Sequence, residues 1–221
     1  MINGLCFDFT RYHERRPEYR VSGEGDLLSG GKDADVVASV LLLVWQVPVE
    51  LGDICWMRQL SPTFGETFTT GQLSRVLGLE NANLDERFPI QETSTGLPCI
   101  VVPLKSLEAL RRCRVDLEAY YDLISTTQAK AVLAFSPELY DTADLSARFF
   151  ADYYGVLEDP ATGSANGCLA AYLLEHRYFD TDFIDVRVEQ RYEIGRPSLL
   201  YLAAEKREGE IRVSVGERCR W

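Results

Sequence analysis

Histidine is nearly missing from this chain, and clustered cations are scarce. The 2 histidines among 221 residues, His13 and His176, leave little material for a Ser-His-Asp arrangement or a paired-histidine zinc site. The 6 cysteines (Cys6, Cys55, Cys99, Cys113, Cys168, Cys219) are scattered without a Cys-x-x-Cys, which argues against a zinc ribbon or a redox motif. Reduced thiols in a cytoplasmic protein are the expectation. Net charge is -11, and the densest basic stretch, Arg11 to Arg20, is interrupted by Glu14 and Glu18. A phosphate-binding face needs clustered Lys and Arg, so no nucleic-acid partner is expected. No apolar run approaches the ~20 residues that a bilayer span needs. The longest, Val36 to Trp45, follows Lys32, Asp33 and Asp35 rather than the basic start of a signal peptide. It reads as a buried helix or strand, and no membrane partner is expected.

What is present is an ordinary globular composition, 46% hydrophobic and 26% charged, in a chain long enough for one large domain or two small ones. Short strands are expected at Val47 to Glu50 and Ile54 to Arg58, as an antiparallel pair around Gly52-Asp53. Ser61-Pro62 breaks the second of them. A helix follows at Thr70 to Leu77, capped by Thr69 or Thr70 and ended by Gly78. Strands are expected at Ile90 to Thr93 and Leu97 to Leu104. Helices capped by Ser106 and Asp116 come next, then strands at Ala131 to Phe135 and Leu145 to Phe150. Three more strands (Phe183 to Val188, Ser198 to Ala203, Ile211 to Val215) close the chain. Many antiparallel-spaced strands with few helices read as α+β.

The most informative stretch is Asp159-Pro160-Ala161-Thr162-Gly163-Ser164-Ala165-Asn166-Gly167-Cys168. The residue before a proline is pushed out of the α region, so the acid-proline pair ends an extended segment. A helix then runs to about His176, apolar or small nearly all round, and such a helix belongs in a core. Its first turn offers backbone N–H groups and a positive dipole end beside one carboxylate. An Asp-Pro turn with a Thr or Ser N-cap is the plain structural reading; an anion pocket with an acid/base at its lip is the functional one. His176 sits where a cation suits the helix dipole. Cys168 has no histidine placed to activate it as a nucleophile.

The string Asp159 to Gly167 resembles the signature of the PhzF-like phenazine-biosynthesis family, relatives of diaminopimelate epimerase. Residues Pro48 to Glu66, Gln91 to Pro103, and Gln190 with Gly195-Arg196-Pro197-Ser198 resemble further segments of it, although Arg191 stands where glycine is usual. The resemblance implies a diaminopimelate epimerase-like fold whose two halves each curl a sheet around a central apolar helix. The second half, residues 81–221, is then complete; residues 1–80 form a reduced or divergent first half. It implies an isomerase that moves a proton on a small carboxylate-bearing metabolite without metal or organic cofactor, and a homodimer. Asp159 is then the catalytic acid or base, and Thr162, Gly163, Ser164 and Ala165 bind the substrate carboxylate. The family's first-half catalytic segments, a Ser-Glu-Thr and a Cys-Gly-His-Ala-Thr, do not occur in this sequence. Asp8, Asp33, Asp35 or a dimer neighbour is left to complete the site. The alternative is a catalytically silent anion-binding or dimerisation module.

Overall fold

A computed structural model describes residues 49–50, 54–159, 161–190, 193, 195 and 197–218. Val36 to Trp45, Asp8, Asp33 and Asp35 lie outside the described residues. Those described form eleven strands in one mixed sheet, with four α-helices. The strands are β1 (Val49–Glu50), β2 (Ile54–Arg58), β3 (Thr63–Phe68), β4 (Ile90–Ser94), β5 (Pro98–Pro103), β6 (Val132–Ser136), β7 (Leu145–Ala151), β8 (Val156–Asp159), β9 (Phe183–Gln190), β10 (Ser198–Arg207) and β11 (Glu210–Arg218). The helices are α1 (Thr70–Leu77), α2 (Leu107–Arg112), α3 (Leu117–Ile124) and α4 (Gly163–Glu175). Sheet order is β1-β2-β11-β10-β9-β7-β6-β5-β4-β3, with β8 pairing β7 off this path. The pairs β5–β6 and β7–β9 are parallel, the rest antiparallel.

Local chemistry accounts for the short helices. Thr69 and Gln72 form a reciprocal capping box at the start of α1. Gly78 ends α1 at φ 64°, where a Cβ would lie 2.7 Å from Arg114 O, so glycine is required there. Ser106 and Asp116 each accept a backbone N–H to open α2 and α3. Each of these four ends agrees with the caps read from the sequence.

The central strands are buried on both faces, as a sheet covered on two sides requires. Along β5, Cys99 and Val101 point into the core that contains α4, while Ile100 and Val102 point into the core built by α1, α2 and α3. Helix α4 packs against β9, β10 and β11 on one side and β4 and β5 on the other. Strands β11 and β4 stand six places apart in the sheet, or ~29 Å if flat. A helix only ~10–12 Å across touches both only because the sheet curls into a half-barrel.

Helix α4 is buried over nearly its whole length. It is not apolar all round, however. Ser164, Cys168, Tyr172 and His176, spaced by four, form a polar seam toward β4 and its flanks. Thr95 Oγ1 donates to Ser164 O at 3.4 Å and lies 3.7 Å from Cys168 Sγ. Tyr172 donates its hydroxyl to Pro89 O at 2.6 Å. His176 Nε2 meets Gln91 Oε1 at 2.8 Å. Gln91 Nε2 donates to Gly65 O, which turns Oε1 toward the ring, so His176 donates from Nε2. Burial pushes the His176 pKa below its ordinary value. The imidazole is therefore neutral at pH 7, and the expected cation at the helix end is replaced by a hydrogen-bonded neutral ring.

Candidate active site

The site grows from a fork in the sheet. Strand β7 gives its first residues to β9, with Leu145 opposite Val188 and Ala147 opposite Gln190. It gives its last residues to β8, with Phe149 opposite Asp159 and Ala151 opposite Val156. Because β9 runs parallel to β7 and β8 antiparallel, the two strands approach each other head-on along one edge and stop either side of Arg148. Asp159 and Gln190 are their last residues. Among the described residues neither strand is paired beyond this point, and β8 is followed in the chain by α4.

Asp159 is 4% exposed and faces the start of that helix. The Thr162 hydroxyl donates to its Oδ2 in a very short hydrogen bond. Thr162 occupies the N-cap position yet makes no side-chain cap. The first N–H to enter the helical ladder is that of Asn166, which reaches Thr162 O at 3.0 Å. The N–H groups of Gly163, Ser164 and Ala165 have no acceptor among the described residues. A capping threonine ordinarily satisfies one of these donors with its own oxygen; here that hydroxyl is committed to the carboxylate. The plain reading, a capped turn, therefore does not hold. The helix start keeps its donors and a partial positive charge of ~0.5. Asp159, Thr162, Gly163, Ser164 and Ala165, singled out in the sequence, thus meet at one corner.

Residues that the sequence left without a role complete the corner. Gln190 Nε2 donates to Asp159 O at 2.9 Å. Asn166 Nδ2 donates to Gln190 Oε1 at 2.8 Å and to Thr162 O at 3.0 Å. Gly167 allows Thr95, just after β4, and Gln59, just after β2, to close on the helix, since a Cβ there would lie 2.8 Å from Thr95 Oγ1 and 2.9 Å from Gln59. An asparagine four residues after Thr162 in an otherwise small and apolar helix was the available signal.

Behind the corner, Arg148 is buried in the gap of the fork. Its Nε and Nη2 engage both oxygens of Glu158 at 2.9 and 2.7 Å, and Nε lies 3.7 Å from Glu193. Nη1 donates to Leu110 O and Cys113 O, both at 3.0 Å, at the carbonyl end of α2. Burial opposes the charge on Arg148, but hydrogen bonds and attraction to Glu158 and Glu193 outweigh it and raise the pKa.

Nucleophilic chemistry finds no support. Cys168 is fully buried and donates to Leu97 O at 3.3 Å. Its hydrogen bond with Cys99, together with burial, raises the Cys99 pKa; for Cys168 itself burial opposes the thiolate but hydrogen bonds from Cys99 and Thr95 outweigh it and lower the pKa, while burial pushes the Cys113 thiol up to about 12. Among the described residues no group of three or more His, Cys, Asp or Glu side chains is arranged to hold a metal ion. No described helix is long and apolar enough to cross a membrane. The chemistry available is capture of an anion by backbone amides, with a carboxylate beside it able to exchange a proton.

The profile of the PhzC-PhzF family, described as phenazine biosynthesis-like protein, matches residues 50–217. The chain is 29% identical over 197 residues to YfhB of Bacillus subtilis, described as an uncharacterized isomerase, covering 87% of this chain and 66% of that protein. It is 34% identical over 151 residues to trans-2,3-dihydro-3-hydroxyanthranilate isomerase of Pseudomonas aeruginosa, covering 68% of this chain and 50% of that one. The crystal structure of a Bacillus anthracis phenazine biosynthesis protein of the PhzF family shares the fold at a TM-score of 0.70 and 25% identity, over 77% of this chain and 60% of that one. The chain thus spans between half and two thirds of the length of these proteins. With the family profile matching residues 50–217, well over half of its length, this chain belongs to the phenazine biosynthesis-like PhzC-PhzF family.

Proposed function

We propose that this chain is an isomerase that moves a proton on a small carboxylate-bearing metabolite, without a cofactor. The observation that carries the reading is the use of the Thr162 hydroxyl. By donating to Asp159 it holds the carboxylate in place and leaves the first amides of α4 to a ligand. In this reading Gly163, Ser164 and Ala165, with the Thr162 backbone, grip the substrate carboxylate. Asp159 gives or takes the proton, a contribution of roughly 10²–10⁴-fold for a well-placed acid or base. Fixed donors at the helix start stabilise negative charge as it develops. Relatives named as isomerases support the reaction class. The contact of α4 with both wings of the curled sheet supports its place as the central helix of a diaminopimelate epimerase-like second half. That second half takes residues 81–221. Residues 1–80 are the reduced first half, whose β1 to β3 join the same sheet and whose α1 packs into the core on one face of it. The protein works in the cytoplasm as a homodimer, and the second acid/base group of a two-base reaction comes from outside the described residues.

The test is solvent-deuterium incorporation into trans-2,3-dihydro-3-hydroxyanthranilate, the compound in the name of the Pseudomonas aeruginosa relative. The protein as isolated incorporates deuterium, and Asp159→Asn stops it while the melting transition is retained. Incorporation unchanged in Asp159→Asn removes the carboxylate from the mechanism. Carboxylate binding with no incorporation by the unaltered protein identifies a silent anion-binding module instead. Thr162→Val, which keeps the shape and removes the hydroxyl, is expected to slow incorporation by ~10-fold or more, since one charge-assisted hydrogen bond is lost.

A further inference from the structure

The strand ends that meet at Arg148 are tied together by side-chain amides. Gln190 reaches the backbone carbonyl of Asp159, and Asn166 reaches both Gln190 and the backbone carbonyl of Thr162. The orientation of both amides follows from those carbonyls, which only accept. Gln190 must present nitrogen to Asp159 O, its oxygen then accepts from Asn166, and Asn166 must present nitrogen to Thr162 O. Nothing in this arrangement can be flipped without opposing two acceptors. It leaves Asn166 Oδ1, in a fully buried side chain, with no donor among the described residues. An orphaned acceptor is a cost that a pair of apolar residues of the same shape would avoid. The role of the pair therefore lies elsewhere than in stability.

We infer that Gln190 and Asn166 are positioning residues that lock the turn from Asp159 to Thr162 at both of its ends. The inference rests on the reading of Asp159 as the proton-transfer group. Thr162 supplies both the hydroxyl that holds the Asp159 carboxylate and the carbonyl that Asn166 grips. Gln190 grips the other end of the same turn. Holding both carbonyls fixes the carboxylate relative to the amides of Gly163 and Ser164, which is the separation that a bound substrate must match. Both side chains are fully buried. A small displacement of a catalytic group, on the order of 1 Å, slows turnover by ~10²-fold while leaving binding groups intact.

The test uses Gln190→Leu, Asn166→Ala and the double variant in the full chain, with two readouts. Steady-state deuterium incorporation into trans-2,3-dihydro-3-hydroxyanthranilate is expected to show kcat lowered by ~10–100-fold with KM nearly unchanged. The double variant should be no slower than the worse single one, because both act on one turn. Backbone hydrogen exchange at the residue 166 amide, which donates to Thr162 O, is expected to accelerate relative to the intrinsic rate of the residue present, while amides of β10 and β11 keep their rates. A raised KM with kcat unchanged would make the pair part of the binding surface and overturn the inference. Unchanged amide exchange at Asn166 also overturns it. Should Gln190→Leu fail to fold, Asn166→Ala carries the same two readouts. If the unaltered protein incorporates no deuterium, the proton-transfer reading fails; amide exchange then judges the lock by itself, faster exchange sustaining it and unchanged exchange removing it.

Discussion

Arg148→Leu is the substitution whose cost the structure defines best. The side chain is 5% exposed and its partner Glu158 9%. Removing the guanidinium deletes the two bonds to Glu158 and the longer contact with Glu193, and takes one donor each from Leu110 O and Cys113 O, which keep the Cys113 N–H and Arg114 Nη1 as partners. Leucine restores apolar bulk but no positive charge, so a buried carboxylate is left unpaired. Breaking a buried ion pair from one side costs roughly 3–5 kcal/mol. For a chain of this size that is a fall of about 6–20 °C in melting temperature. The same physics predicts partial recovery when the carboxylate goes too. Glu158→Leu added to Arg148→Leu should regain about 1–3 kcal/mol, because a well-packed apolar pair is often no less stable than the ions it replaces. Thermal and urea unfolding of the parent and both variants at one pH measures these differences. A loss of less than ~1 kcal/mol in the single variant refutes the reasoning. So does a double variant less stable than the single, since that would mean Glu158 is held by something other than Arg148.

Two further predictions concern single backbone and titrating positions. Gly78→Ala forces a Cβ to 2.7 Å from Arg114 O at a left-handed φ, and should destabilise by about 1–3 kcal/mol in urea unfolding. An unchanged midpoint would mean that the end of α1 shifts freely. His176 has a folded-state pKa below its ordinary value of 6.5 because it is buried. The unfolded chain takes up the proton first, so this stabilisation is complete above pH 6.5 and is lost as pH falls through the folded pKa. His176→Gln should flatten the stability profile across that window, and a profile as steep as the parent's refutes the assignment.

The parts of the fold legible in the sequence are those that local chemistry decides. Thr69, Ser106, Asp116 and Gly78 set helix ends through bonds spanning a few residues, and each was readable at its position. Strand β3 was not. Its register shifts between Phe64 and Thr67, which breaks the alternation of period two, and as the last strand in the sheet order it buries little side-chain surface. The polar seam of α4 was hidden for another reason: hydropathy counts Cys168 and Tyr172 as apolar, although each points a polar atom at a particular carbonyl. His176 looked like a cation at a helix end because the sequence shows the end and not the rings of Phe64 and Tyr172 beside it. Of the candidate site, the carboxylate and the helix start were legible because they are adjacent in the chain. The amide lock was not, since Gln190 comes to Asp159 only through the pairing of both strands with β7.

The head-on approach of β8 and β9 sets a rule for how this protein tolerates changes in length. Each strand ends where the other begins to occupy the same edge, so neither can grow by a residue without driving its tip into its neighbour. A residue inserted between Val156 and Asp159, or between Val188 and Gln190, would also reverse which side of the sheet the tip faces. The connection at 177–182 stands outside that edge, its Asp180 and Asp182 exposed, whereas at 137–144 the N–H groups of Tyr140, Asp141 and Thr142 hold Glu189 near the tip of β9. Insertions should therefore be accepted around Asp180 to Asp182 and refused at the strand tips and at Tyr140 to Thr142, however conservative the inserted residue.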